Sequence, residues 1–130
     1  MTIPISRPLW KKIVRRFMQH NPKAYLFDII KACDLIIGYT KGFDSTSYLQ
    51  DRMLRDAVER NFITIGEALN RLKTEDHEMF VQIPDSNKII AFRNVVVHAY
   101  DVIENELVWD VVQEEIVQLK EKCQKLLNAE

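Results

Sequence analysis

The chain has 130 residues, 47% apolar and 28% charged, with three glycines and four prolines. That is enough apolar material for one domain with one core, and too few turn residues for a turn-rich β protein. The formal net charge is −1, so no global field draws the chain to nucleic acid or membrane, and any such contact must come from a local patch.

Residues 1–8 carry Pro4 and Pro8 and read as irregular. "LWKKIVRRFMQH" then has the spacing of a short helix, with Trp10, Ile13, Val14 and Phe17 on one side and Lys11, Lys12, Arg15 and Arg16 elsewhere. This start is basic but lacks the apolar core of a signal peptide, and no apolar run approaches the roughly 20 residues of a membrane span. A cytoplasmic protein is expected. Asn21 caps a helix that Pro22 opens at its first position and that runs to about Tyr39. Its buried stripe is Leu26, Ile29, Ile30, Cys33, Ile36 and Ile37.

"KGFDSTS" is a turn, after which Asp44 or Ser45 caps one helix over about 46–72. The stripe there is Leu54, Val58, Phe62 or Asn61, Ile65, Leu69 and Leu72. Gly66 lies inside it and either marks a close helix crossing or is neutral. "KTEDHEMFVQIPDSN" reads as a loop with one helical turn. Asp85 or Ser86 caps a helix over about 87–100, "DVIEN" breaks it, and a last helix covers about 104–127. Leu107, Val111, Ile116, Leu119, Cys123 and Leu126 are expected inside. No convincing strand is found, and four principal helices with short connections make an antiparallel all-α bundle. Cys33 and Cys123 stand 90 positions apart without a CxxC or Cys/His cluster, so buried reduced thiols are expected and no metal site.

The stretch "FRNVVVHAY" mixes polar residues into an apolar helix. At about 100° per residue, Ile89, Phe92, Val95, Val96 and Ala99 share the core arc. Arg93, Asn94, His98 and Tyr100 point elsewhere, with Ile90 and Val97 among them. A mixed apolar and polar second face suits an interface lining a cleft better than open solvent. Arg93 and His98 are about 140° apart on an ideal helix. They converge on one substrate only where the helix ends or bends near His98, or where a second subunit supplies the mate.

"RNVVVHAY" is similar to the R-x4-H-x-Y signature of the HEPN superfamily, and specifically of its HepT-like toxin branch. "YLFDIIKACDLI", "LRDAVERNFITIGEAL" and "HAYDVIENELVWDVV" resemble the first, second and final helices of that family. The resemblance implies residues 1–20 as an N-terminal extension and 21–130 as a HEPN domain: a four-helix bundle with an extra short N-terminal helix, paired as a two-fold homodimer. It further implies a metal-independent endoribonuclease without cofactor. Arg93 and His98 would be the catalytic pair at the dimer cleft, Asn94 an orienting residue and Tyr100 a regulatory one. The implied partner is an MntA-like minimal nucleotidyltransferase antitoxin that uses ATP and magnesium to place AMP on that tyrosine.

That chemistry is physically sound. RNA carries its own nucleophile, the 2′-OH. Histidine exchanges protons at neutral pH, and arginine binds phosphate with parallel hydrogen bonds while stabilising developing charge. Two other readings stand beside it: a non-catalytic HEPN module that binds RNA or a nucleotide, and a purely structural helical dimer. A packing role has no need of all four polar residues.

Overall fold

The structure, a computed structural model, describes residues 9–11, 21–97 and 102–129, with the backbone alone for 102 and 103. The first long helix, α1 (Pro22–Thr40), starts as its sequence directs: Pro22 opens it and the Asn21 side chain accepts a hydrogen bond from the Lys23 N–H at 2.9 Å. Gly42, at φ +84°, supplies the left-handed backbone of the following turn. Asp44 then caps α2 (Ser45–Gln50) in a reciprocal box with Ser47.

One helix was expected over 46–72, and the structure divides it in two. Asp51 leaves helical geometry (φ −108°, ψ 96°) and caps α3 (Arg52–Glu75) by accepting from the Leu54 N–H at 3.0 Å. A capping aspartate inside a helical pattern thus acts as a start signal. The break frees α2 to turn its fully buried Tyr48 onto Trp109, with ring centroids 5.0 Å apart. After α3 comes the single turn α4 (His77–Phe80), capped by Asp76. Asp85, at φ +60°, reverses the chain into α5 (Ser86–Val97). Residues 98–101 lie outside the described residues, as do 12–20, so most of the expected N-terminal helix and the expected end of the helix at Tyr100 lie there too. Residues 9–11 are helical, with Trp10 57% exposed.

The C-terminal part also departs from expectation. "DVIEN" was expected to break the chain, yet α6 (Val102–Glu114) is already helical there. The interruption comes at Glu115, and α7 (Ile116–Asn128) follows. The helix turns Val108, Trp109 and Val112 inward, leaving Leu107 46% exposed and Val111 half-buried, while Ile116, Leu119 and Cys123 are buried as expected. Trp109 decides this phase, because its ring closes over Tyr48.

The core runs through all the long helices. α1 packs between α3 and α7, α5 lies along α3, and α2 sits against α6. The chain is all-α among the described residues. Leu26, Ile29, Cys33 and Ile36 of α1 are completely buried against Val58, Ile65, Leu69 and Leu72 of α3. Of the alternatives at 61 and 62, Phe62 is the core residue, while Asn61 turns its amide back to the Ala57 carbonyl. Cys33 and Cys123, remote in sequence, are buried free thiols close enough that Cys123 helps to raise the pKa of Cys33. No helix among the described residues is long and apolar enough to cross a membrane.

Candidate active site

The candidate site is built where α5 crosses α3. The two helices run antiparallel: Lys73 near the end of α3 donates to the Asn87 side chain near the start of α5, at 3.1 Å. Midway along, Phe62 and Phe92 meet edge to face, with centroids 5.5 Å apart and planes at 71°. Ile89 and Val96 are buried as the core arc requires, and Phe92 and Val95 are half-buried. Ile90 and Val97, both expected on the second face, are also half-buried, and Ile90 packs against the core rather than away from it.

Arg93 follows Phe92 and is not a free surface arginine. Its aliphatic stem runs over Gly66: a Cβ built on that glycine would stand 3.0 Å from the arginine Cδ, 3.2 Å from its Cβ and 3.4 Å from its Cγ. The glycine marks a close helix crossing, which settles the alternative its sequence left open. The side chain remains 41% exposed, and its terminal nitrogen pairs with Glu67 Oε1 at 3.8 Å, too long for a hydrogen bond. Nε is out of solvent and has no hydrogen-bond acceptor among the described residues. The arginine is therefore held mainly through its stem, and its charged end faces outward beside one loosely paired carboxylate.

Asn94 is exposed on the same helix, next to Arg93. His98, Tyr100 and Ala99 lie outside the described residues, so of the four polar residues of the signature the structure places Arg93 and Asn94. Sequence reasoning gave Glu67 no distinction, since a lone glutamate on a helix is ordinary. The available signal was its seat beside a mid-helix glycine. Two turns nearer the start of α3 than Glu67, the half-buried Glu59 has its pKa raised by desolvation and then by the charge of Asp56. Among the described residues no group of three or more His, Cys, Asp or Glu side chains stands ready to hold a metal.

The fold and this crossing define an all-α helical bundle that presents an arginine, seated on a glycine, from α5. Over residues 29–126 the chain matches the Ribonuclease HepT-like family, and it belongs to that family. It is 30% identical over 106 residues to the RNase candidate MJ1380 of Methanocaldococcus jannaschii, covering 82% of this chain and 96% of that protein. It is 31% identical over 109 residues to "Probable ribonuclease HepT" of Thermococcus cleftensis, covering 84% and 98%. A third relative, the RNase candidate TTE0752 of Caldanaerobacter subterraneus, is 28% identical over 110 residues, covering 85% and 97%. No solved structure matches the chain. The fold is the all-α bundle of the HEPN type.

Proposed function

We propose that this chain is a metal-independent endoribonuclease and the toxin of a HEPN/nucleotidyltransferase toxin–antitoxin pair. One observation carries the reading: Arg93, Asn94, His98 and Tyr100 form an intact R-x4-H-x-Y set, and all four fall within the residues that match the ribonuclease family. The relatives named for RNase activity support the substrate class.

The reaction follows from the groups available. The 2′-oxygen attacks the adjacent phosphorus, its proton leaves, and the P–O5′ bond breaks as the 5′-oxygen gains a proton. The products are a 2′,3′-cyclic phosphate and a 5′-hydroxyl. His98 carries protons at neutral pH. Arg93 remains cationic throughout and stabilises the charge growing on the phosphoryl oxygens. Asn94 orients the histidine without competing for its proton. A two-fold homodimer joins two copies of the α5 face, so that Arg93 and His98 of both chains line one cleft and their angular separation on one helix is no obstacle. The outward-facing guanidinium of Arg93 supports such a cleft. A minimal nucleotidyltransferase partner, bringing ATP and magnesium, places AMP on the Tyr100 hydroxyl. The added phosphodiester charge pairs with Arg93 and occupies the seat of the substrate phosphate. Residues 1–20 are an extension to the HEPN domain proper.

Expression of the chain alone, followed by incubation of the purified protein with RNA in EDTA, tests the reading. Growth arrest and cyclic-phosphate ends are expected. RNA bound without cleavage by the purified wild-type chain would replace it with a non-catalytic RNA-binding module.

A further inference from the structure

The seat of Arg93 on α3 has its own logic. Of the two glycines inside helices, Gly38 in α1 has nothing within 4 Å of where a Cβ would be, whereas Gly66 has three atoms of the Arg93 stem there. One of those atoms is the arginine Cβ, at 3.2 Å, which is tied directly to the α5 backbone. An added methyl group at 66 cannot be accommodated by swinging the end of a flexible side chain. The α5 backbone or the arginine stem must give by a few tenths of an ångström, and either movement carries the guanidinium with it. Helix propensity favours alanine over glycine at such a position, so the glycine weakens α3 locally in return for this close approach.

Glu67, the next residue, stands at the other end of the same side chain. The pair at 3.8 Å is screened by solvent, with side-chain exposures of 41% for the arginine and 60% for the glutamate. Exposed pairs of this kind are weak and exchangeable. A phosphate offers the guanidinium two short charge-assisted hydrogen bonds that this carboxylate does not make. The carboxylate also repels any anion that approaches.

We infer that Gly66 and Glu67 form a positioning cradle for Arg93, the glycine seating the stem and the glutamate holding the place that an RNA phosphate takes over. This rests on the proposed role of Arg93 in binding that phosphate. Neither cradle residue touches the reacting atoms, so both are positioning residues.

The test combines three variants of the full-length chain, read by RNA cleavage, thermal melting and guanidinium NMR of Arg93 during titration with inorganic phosphate. Gly66→Ala is expected to shift the Arg93 Nε resonance and lower kcat about tenfold or more, while its melting temperature is kept or raised. Gly38→Ala, with open space around it, is expected to raise the melting temperature and leave cleavage unchanged. Glu67→Gln is expected to tighten phosphate binding and lower KM for RNA about two- to fivefold, the scale of an exposed ion pair, with kcat unchanged. Gly66→Ala with an unmoved Arg93 resonance and full cleavage overturns the seating role. Glu67→Gln with unchanged phosphate affinity overturns the place-holding role. Should Gly66→Ala fail to fold, Arg93→Ala is added to it: recovered folding shows that the arginine stem filled the space over the glycine, and no recovery overturns the seating role, while the exposed Glu67→Gln decides the other half. If the wild-type chain cleaves no RNA, the ribonuclease reading fails, and the Arg93 resonances still decide the cradle.

Discussion

The rings of Phe62 and Phe92 meet edge to face, 5.5 Å between centroids, and this contact sets the register of α5 on α3. Aromatic pairs at this distance and inclination add to simple burial, and their geometry resists sliding. Each ring is followed, within one helical turn, by a residue of the site. Gly66 lies four positions after Phe62 and Arg93 one position after Phe92, so fixing the rings brings the arginine stem over the glycine. The core thereby positions the residue proposed to meet the substrate.

Arg93→Ala and His98→Ala are each expected to lower RNA cleavage by about 10²-fold or more, the usual scale for an oxyanion-stabilising or acid–base group. Arg93→Lys should not restore activity, because a point charge does not reproduce the two-pronged guanidinium. Wild-type cleavage should proceed unchanged in EDTA. Gel-based rates with end-group analysis check all four. Full activity of the alanine variants, or activity that needs a divalent metal, contradicts the assigned chemistry.

Light scattering at tens of micromolar is expected to return the mass of a homodimer. Val97, half-buried on α5 in the single chain, is expected to complete its burial in the partner's face. Val97→Glu should split the dimer and abolish cleavage together. A wild-type monomer that still cleaves RNA would separate activity from pairing.

Tyr100→Phe keeps the ring and removes the acceptor hydroxyl. Co-expressed with a nucleotidyltransferase from the neighbouring gene, the wild-type chain should gain the mass of AMP and lose toxicity, whereas the variant should gain no mass and stay toxic. An unmodified yet neutralised wild-type chain would mean that the partner works by covering the cleft.

Asp51→Ala removes the side-chain cap at the start of α3 and should cost about 1 kcal/mol, a drop of about 4 °C in Tm for a domain of this size. The far-UV helix signal should hardly change. A variant as stable as the wild type would show that the cap is replaced by another acceptor.

The buried thiols make stability sensitive to alkali. Burial pushes Cys123 up to about 12 and raises Cys33 further from its ordinary value, with Cys123 itself adding to the effect on Cys33. In the unfolded chain both ionise near 8.5. The folded state therefore binds more protons above that pH, and stability that is complete below about pH 8.5 is lost as pH rises towards the folded pKa values. Buried Tyr48, also raised by desolvation, acts in the same direction from about pH 10 upward. Between pH 8.5 and 10, Tm should fall, and Cys123→Ala should flatten that slope even though the smaller side chain lowers Tm at every pH.

Local chemistry and periodicity carry much of this protein in its sequence. Asn21–Pro22 starts α1 as written, the stripe from Leu26 to Ile36 is buried, and Leu54, Val58, Ile65, Leu69 and Leu72 form the buried face of α3. The family is legible too, because R-x4-H-x-Y and the helix patterns around it are linear signals, and residues 29–126 match the family. Tertiary contacts decided the remainder. The inward phase of α6 depends on Tyr48 finding Trp109, two residues 61 positions apart, and the interruption at Glu115 has no side-chain cap to announce it. A helical stripe shows which residues share a face but not which neighbour that face meets, so Leu107 looked as suitable for the core as Val108. The Arg93 seat is of the same kind. Sequence marks a glycine in one helix and an arginine in another, and only packing reveals that the missing Cβ of one makes room for the stem of the other.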